Sequence, residues 1–201
     1  MAEVSVFTHI RERLAMILNT SAYTVELFDG HTGYVPPSTD NAIRCDRAYS
    51  LSDGISSTTH GIRVTADGRP IASVVLLAGG GASGIHDNSA FVRADALFVA
   101  VGPFVVRLAI PSLDLLWSVE TDEATCFGIH PIPESTDFIS HGELSIARVT
   151  DDGCIIWSGS GADIFTGELT VLSHEVRVAD FEGRCYTFAL ITGVSKLLPL
   201  E

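Results

Sequence analysis

Arg148-Val-Thr-Asp-Asp-Gly-Cys-Ile-Ile-Trp157 is the stretch of this sequence that decides its fold. It places an alternating apolar segment before an Asp-Gly turn and a second apolar segment after it, which is the pattern of an antiparallel β-hairpin. Three further segments follow the same plan, each led by an arginine: Arg63-Val-Thr-Ala-Asp-Gly, Arg107-Leu-Ala-Ile-Pro-Ser-Leu-Asp and Arg177-Val-Ala-Asp-Phe-Glu-Gly. The sequence therefore predicts a protein built from repeated hairpins.

Residues 60–192 carry this pattern almost without interruption. The predicted strands are 60–66, 70–78, 90–94, 96–101, 104–110, 114–120, 125–130, 137–140, 143–149, 154–158, 162–165, 169–172, 175–180 and 184–190. Short strands with regular turn signals are typical of sandwiches, barrels and propellers. Trp117 and Trp157 are 40 residues apart, and a period near 40 is typical of four-stranded propeller blades. We expect an all-β, mainly antiparallel fold of repeated hairpins or meanders, propeller-like or sandwich.

The first part of the chain has a different character. Residues 3–18 place apolar side chains at three- and four-residue spacings, which predicts one N-terminal amphipathic helix. Residues 29–59 are rich in Gly, Pro, Ser, Thr and Asp, and they predict a loop-rich connection with one short strand near 42–49. With 201 residues, we expect residues 1–201 to form a single domain around the hairpin core at 60–192.

Part of the chain is similar to known sequences. Cys126-Phe-Gly-Ile, Ser140-His-Gly-Glu-Leu, Asp152-Gly-Cys-Ile-Ile-Trp157 and Gly161-Ala-Asp-Ile-Phe-Thr-Gly167 resemble a group of short bacterial β-rich proteins that generally lack an assigned function. This resemblance spans residues 74–192 and implies no activity. The Asp-Gly-x-Ile-x-Trp turn is more distantly similar to blades of quinoprotein-type and outer-membrane-assembly-type propellers. Quinoprotein catalysis is not implied, because the chain is too short to enclose that cofactor in a full propeller.

The net charge of −13 is concentrated in one half of the chain. From Asp114 to Glu182 there are 14 carboxylates against two arginines, a balance of −12. Such a surface repels phosphate backbones, so nucleic-acid binding is disfavoured. It attracts a basic protein partner, and we expect Asp151, Asp152 and Asp163 to contact that partner. The alternative is an acidic face that only keeps the protein soluble.

Several classes of protein are disfavoured. No apolar run approaches the roughly 20 residues of a membrane helix, and the N-terminus has no apolar core of a signal peptide. We therefore expect a cytoplasmic protein that does not bind membranes. The four cysteines form no C-x-x-C pair, and we expect Cys154 and Cys185 to be small buried side chains within strands. No metal and no cofactor are predicted.

The segment Gly79-Gly-Gly-Ala-Ser-Gly84 matches G-x-G-x-x-G and follows a strong strand pattern. A dinucleotide fingerprint also needs a helix after the glycines, whereas the chain continues into another predicted strand. We interpret the segment as a loop that uses glycine for positive φ. A glycine loop can still bring backbone N–H groups close to a ligand, which makes the neighbouring His86 and Asp87 candidate site residues.

A second candidate is His141-Gly-Glu143, which matches the H-x-E half of a zinc deaminase signature. The P-C-x-x-C half is absent, and a strand pattern replaces the deaminase helix. Alternation along a strand would place His141 and Glu143 on one face. The nearest candidate partners of that face are His130, Asp137 and Asp163.

The sequence is best explained by a non-enzymatic protein-interaction module with an acidic face, of the inhibitor or immunity type. The alternative is a small-ligand-binding protein or hydrolase, with its site near the Gly79–Gly84 loop or at His141 and Glu143. A third interpretation is a self-assembling protein, because an incomplete propeller leaves exposed strand edges. The oligomeric state is left open.

Overall fold

The computed structural model describes residues 14–30 and 45–199. Within these residues the chain forms seventeen β-strands in four sheets, nearly all of them antiparallel. The all-β prediction is confirmed. In the same residues there is no helix long and apolar enough to cross a membrane.

The first sheet, sheet 1, has the strand order β1-β2-β4-β5-β3. Its strands are β1 (Leu14–Asn19), β2 (Thr24–Asp29), β3 (Arg47–Ser50), β4 (Thr58–Ala66) and β5 (Arg69–Ala78). Strand β3 pairs in parallel with β5, from Arg47 opposite Val74 to Ser50 opposite Leu77. It therefore adds a fifth strand to an otherwise antiparallel meander.

Each of the next three sheets is a four-stranded antiparallel meander in which strand order follows chain order. Sheet 2 contains β6 (Ala90–Arg93), β7 (Ala96–Val101), β8 (Phe104–Ala109) and β9 (Leu115–Glu120). Sheet 3 contains β10 (Cys126–Pro131), β11 (Phe138–Gly142), β12 (Ser145–Val149) and β13 (Ile155–Ser160). Sheet 4 contains β14 (Thr170–Val171), β15 (Glu175–Ala179), β16 (Cys185–Ala189) and β17 (Ser195–Leu197).

The sheets stack face to face in chain order, and strand alternation explains how. On β7, Leu97, Val99 and Val101 pack in one apolar cluster with sheet 1, whereas Phe98 and Ala100 pack in another with sheet 3. Because both faces of β7 are covered, its sequence is a continuous apolar run rather than an alternating one. A third cluster joins sheets 3 and 4. This serial stacking differs from a two-layer sandwich, in which each sheet buries only one face.

A repeated polar contact joins one sheet to the next. Arg107 and Trp117 face each other on β8 and β9, and both donate hydrogen bonds to the carbonyl oxygen of Asp151 in sheet 3, at 2.8 and 3.1 Å. Arg148 and Trp157 face each other on β12 and β13. Both donate to the carbonyl oxygen of Leu190 in sheet 4, at 2.9 and 3.0 Å. We call each of these an Arg–Trp clamp.

Glycine makes room for both clamps. Gly153 and Gly193 have φ values of +85° and +69°, which glycine adopts without strain. A Cβ atom would lie 2.9 Å from the Trp117 ring at Gly153 and 2.7 Å from the Trp157 ring at Gly193. Each tryptophan therefore lies directly against the turn whose carbonyl it binds.

The fourth arginine of the sequence pattern occupies a different place. Arg177 lies on β15, the second strand of sheet 4, and pairs with Glu175 on its own strand. The position that corresponds to a clamp in sheet 4 is held by Thr187 opposite Lys196. This offset explains why fewer residues separate Arg148 from Arg177 than separate the earlier arginines of the pattern from one another.

Several predictions need correction. The helix over residues 3–18 is wrong for its last part, since residues 14–18 belong to β1, and residues 3–13 lie outside the described residues. The short strand in the 29–59 connection is β3, while residues 31–44 are outside the described part. The strand at 162–165 is absent; Phe165 forms only an isolated bridge to Asp180. Cys154 and Cys185 are exposed free thiols rather than buried ones.

Asp122, in the loop between sheets 2 and 3, organises the turns around it. Its carboxylate accepts hydrogen bonds from the backbone amides of Ala124, Thr125, Leu144 and Ser145, at 2.8 to 3.0 Å. The residue is 4% exposed. All four amides would lose their acceptor if this carboxylate were removed.

We therefore predict that Asp122→Ala lowers the free energy of unfolding by about 2 to 4 kcal/mol, because buried donors become unsatisfied. Urea unfolding followed by tryptophan fluorescence measures this. Glu123→Ala is the matched control, since Glu123 is the adjacent carboxylate and is exposed; we expect a change within about 0.5 kcal/mol. Equal losses for the two variants would contradict the role of Asp122.

Candidate functional site

The three aspartates predicted to contact a partner do not form one free acidic face. The carboxylate of Asp151 pairs with Arg107 at 2.8 Å and lies 3.6 Å from Arg93. Asp163 lies 3.7 Å from Arg184, and its Oδ1 accepts a hydrogen bond from the amide of Ile164. Asp152 is exposed and accepts a hydrogen bond from the hydroxyl of Thr150. Much of their charge is compensated within the chain.

Arginines compensate other carboxylates of the acidic half in the same way. Arginines pair with its carboxylates across and within the sheets: Arg47 pairs with Asp114, and Arg184 pairs with Asp180. The Arg148 guanidinium binds Asp137 at 2.6 Å. Counting charges along the sequence could not show these pairs, because they depend on which strands become neighbours.

Two of the carboxylates without an ion pair lie together in one groove. Glu120 and Glu123 are exposed, and neither has an ion pair among the described residues. They line a groove of about 700 Å³ between the end of β9 and the strands β12 and β13. Its other lining residues are Thr121, Asp122, Leu144, Ser145, Ile155, Ser158, Gly159 and Ser160. We call it the acidic groove.

The wall of the acidic groove includes an exposed strand edge. Strand β13 is the last strand of sheet 3, so one of its edges is unpaired within the sheet. Ile155 on this strand is 42% exposed, and Leu144 across the groove is 38% exposed. The groove thus combines negative charge, apolar side chains and free backbone hydrogen-bonding groups. No lysine, arginine or histidine is among its described lining residues.

The Gly79–Gly84 loop does not form a phosphate cradle. It leads into β6, not into a helix. Two of its amides are already used: Gly79 donates to the Ser52 hydroxyl, and Gly81 donates to the Ala124 carbonyl. The loop therefore joins sheet 1 to the loop that follows sheet 2, and these two amides are not available to bind an anion.

His86 and His141, which the sequence predicts as members of two different candidate sites, line the same pocket. Both line a pocket of about 300 Å³ together with His130. The other lining residues are Asn88, Phe127, Thr166, Gly167, Glu168 and Leu169. We call this the histidine pocket. Asp87 is exposed and does not line it.

The register of β10 and β11 creates this pocket. His141 lies opposite Gly128, and His130 lies opposite Ile139. His130 and His141 are therefore diagonal neighbours on one face of the sheet, with ring centroids 6.0 Å apart. A Cβ atom at Gly128 would lie 3.0 Å from Asn88, so glycine at this position lets that part of the pocket wall pack against the sheet. The sequence named His130 as a candidate partner of His141, but only the register places them together.

Glu143 does not belong to the pocket. Strand β11 ends at Gly142, so the alternation that would place His141 and Glu143 on one face stops before Glu143. Its amide donates to the Thr125 carbonyl, and its carbonyl accepts from the Phe165 amide. Glu143 is thus part of the connection between sheets 3 and 4, and it lies outside the set of pocket-lining residues.

The three histidines differ in their hydrogen bonding. The Nδ1 atom of His86 accepts from the Asn88 amide at 3.2 Å, which leaves Nε2–H to donate to the Phe127 carbonyl at 2.6 Å. His130 and His141 each have a buried Nε2 atom without a partner among the described residues. Burial lowers the pKa of both to about 4, with the neighbouring histidines as smaller contributions. Both rings are therefore neutral at pH 7.

The described residues contain no evident metal centre. Within residues 14–30 and 45–199, no three His, Cys, Asp or Glu side chains are close enough to hold an ion.

A further buried histidine, His60 on β4, is fully buried and has no hydrogen bond to a described residue on either ring nitrogen. Burial lowers its pKa to about 4, as it does for His130 and His141.

We predict that the free energy of unfolding falls as the pH is lowered from about 6.5 to about 4. In this window the unfolded chain, whose histidines have a pKa near 6.5, binds protons that the folded chain excludes. For His60, whose pKa is lowered from 6.5 to about 4, the loss of stability between pH 7 and pH 4 is about 3 kcal/mol. Urea unfolding at pH values between 7.5 and 4 measures the loss.

Two variants assign the effect. His141→Phe removes one titrating ring, so the pH dependence of stability between pH 6.5 and 4 should become shallower by about one proton. His174→Asn is the control, because His174 is exposed; its profile should match that of the unmodified protein. An unchanged slope in His141→Phe would show that the ring does not titrate as its burial requires.

The similarity of this chain to known proteins is limited to the fold. No protein-family model matches this chain, and no curated protein sequence matches it. Among solved structures, the chain is similar to BamB from Moraxella catarrhalis, with a TM-score of 0.51 and 17% sequence identity. That match covers 91% of this chain and 60% of the BamB chain.

A second similar structure is the WD40 β-propeller domain of Doa1, with a TM-score of 0.46 and 11% identity over 67% of this chain and 46% of that chain. The chain thus spans less than two thirds of the length of both structures. At such low identity the BamB match concerns the fold alone. Together with the stacked four-stranded meanders, it shows that the described part of the chain has a β-propeller-like fold.

Proposed function

We propose that this protein is a non-enzymatic binding module whose acidic groove takes an extended, basic segment of a protein partner. The observation that carries the proposal is the placement of Glu120 and Glu123. Among the described residues they are free carboxylates, in a groove that also offers apolar side chains and an unpaired strand edge.

The groove chemistry favours a strand-like occupant. An extended peptide can add to an exposed sheet edge through main-chain hydrogen bonds, while alternate side chains enter the neighbouring pockets. Leu144 and Ile155 suit apolar side chains, and the two glutamates suit lysine or arginine. The partner segment should therefore alternate basic and apolar residues.

The proposal keeps the acidic interaction surface expected from the sequence but moves its centre. Asp151 and Asp163 pair with arginines of this chain, so using them would require breaking those pairs. Glu120 and Glu123 carry no such cost, because neither has an ion pair among the described residues. Inhibitor or immunity activity and a cytoplasmic location stay part of the proposal.

Peptide selection tests this proposal and does not require the partner to be identified. Random twelve-residue peptides displayed on phage are selected on the protein at low ionic strength. We expect recovered peptides to alternate Lys or Arg with β-branched or aromatic residues. Their binding should weaken as salt rises, because exposed charges are screened.

Matched charge reversals locate the site. The double variant Glu120→Lys, Glu123→Lys should weaken binding of the selected peptides by about tenfold or more, because two attractions become repulsions. Glu182→Lys makes the same type of change at an exposed glutamate outside the groove, and it should leave affinity within about twofold. Recovered peptides without basic residues, or equal affinity for the double variant, would contradict the proposal.

A further inference from the structure

Strand β3 shows how this fold holds an extended segment at the outer edge of a sheet. It pairs in parallel with β5, the last strand of the antiparallel part of sheet 1, from Arg47 opposite Val74 to Ser50 opposite Leu77. Strands β9 and β13 end sheets 2 and 3 in the same way, but no described strand pairs with their outer edges. The place that β3 fills in sheet 1 is therefore open in both of these sheets.

A β-bulge makes β5, β9 and β13 equivalent. The bulged residue is Ile71 in β5, Leu116 in β9 and Ile156 in β13. These three side chains are 48%, 52% and 48% exposed. A bulge is a specific local feature that adds one residue to a strand, so its recurrence in the last antiparallel strand of three sheets aligns their edges. On this alignment Val119 in β9 corresponds to Val74, the residue opposite the start of β3.

The side chains of β3 also reach the sheet that follows. The Arg47 guanidinium pairs with the Asp114 carboxylate in the turn between β8 and β9. The Tyr49 hydroxyl donates to the Leu113 carbonyl at 3.4 Å and accepts from the Leu115 amide at 3.3 Å. The segment is thus held by its own sheet through the backbone and by the next turn through an Arg-x-Tyr sequence.

The acidic groove is the corresponding space between sheets 2 and 3. One of its sides is the end of β9, and the other includes Ile155, which begins β13 as Leu115 begins β9. The turn before Ile155 also carries a carboxylate, because Asp152 is exposed and has no ion pair among the described residues. The equivalent turn of sheet 4, Thr192-Gly193-Val194, has no acidic side chain. A basic segment therefore fits the β9 edge better than the β13 edge.

Resting on the proposed function, we propose that the partner segment in the acidic groove adds to the outer edge of β9 and runs parallel to it, as β3 does along β5. The segment contains an arginine followed two residues later by an aromatic residue. The arginine pairs with Asp152, and the aromatic side chain lies against the start of β13. Because the segment is parallel to β9, its later residues lie beside Glu120 and Glu123 at the end of that strand.

A peptide that copies β3 tests the edge and the direction. The probe is acetyl-Arg-Ala-Tyr-Ser-Leu-amide, the sequence of residues 47–51, with a nitroxide attached by a thioether to a cysteine added at either end. Each labelled peptide is mixed at millimolar concentration and low salt with the 15N-labelled full chain, and the loss of backbone amide signals is measured by NMR. The label at the start should broaden Ser118 and Val119 most, and the label at the end should broaden residues 121–123 most.

An aspartate variant tests the arginine contact. Asp152→Asn should raise the Kd of the unlabelled probe about threefold, since it removes one exposed ion pair. Asp87→Asn is the matched control, because Asp87 is an exposed aspartate outside the groove, and it should leave the Kd unchanged. An equal effect of the two variants would overturn the assignment of Asp152.

The labelled peptides can also contradict the proposal directly. The opposite order of the two labels along β9 would show an antiparallel segment, and broadening centred on β13 would show the other edge. Broadening confined to β5 would show exchange with β3, and the absence of any response would show that the β9 edge does not take such a segment. If phage-selected peptides still depend on Glu120 and Glu123 in any of these cases, the proposed function stands and only this inference fails.

Discussion

The structure depends on how sheets 2 and 3 each bind a turn of the sheet that follows. In both Arg–Trp clamps, an arginine and a tryptophan on facing strands donate to a single carbonyl oxygen of the following sheet. The tryptophan ring lies against a glycine of the same turn, and the arginine brings a charge-assisted hydrogen bond. The tryptophan ring shields this carbonyl from water, so the two donors of the clamp supply its hydrogen bonds. The same contacts align the hydrophobic faces of the two sheets.

Aromatic side chains also pack between the sheets that the clamps join. Phe98 of sheet 2 stacks on Phe91 at 4.7 Å and meets Phe138 of sheet 3 edge-on at 5.6 Å. Trp157 of sheet 3 stacks with Phe188 of sheet 4 at 6.1 Å. Aromatic pairs in these geometries stabilise the fold by more than their buried area alone contributes. The candidate sites lie where such neighbouring sheets meet, so sheet stacking fixes their geometry.

The sequence was sufficient for most of the strands because strand patterns are local. Alternation and turn residues identified β4 to β13 within a few positions. The incorrect predictions arise where tertiary contacts override the local conformational preference of the sequence. Residues 14–18 have helical spacing but pair with β2. Cys154 lies in an apolar pattern at a sheet edge, and an edge residue there is exposed to solvent.

The candidate sites were harder to predict because they depend on register and on distant pairs. His86 and His141 were identified from short motifs, yet their shared pocket follows from the pairing of His141 with Gly128. Glu120 and Glu123 carry no motif, and they stand out only because the fold places both of them in one groove. Charges can be counted along a sequence, whereas their partners are determined by the fold.

Hydrogen–deuterium exchange on the Trp157→Phe variant tests whether the Arg–Trp clamp between sheets 3 and 4 couples these two sheets. The substitution keeps an aromatic ring and removes the donor to the Leu190 carbonyl. We predict that amides of residues 185–197 in sheet 4 exchange about tenfold faster, while sheet 1 keeps its protection. Unchanged exchange in sheet 4, or an equal increase in all four sheets, would contradict it.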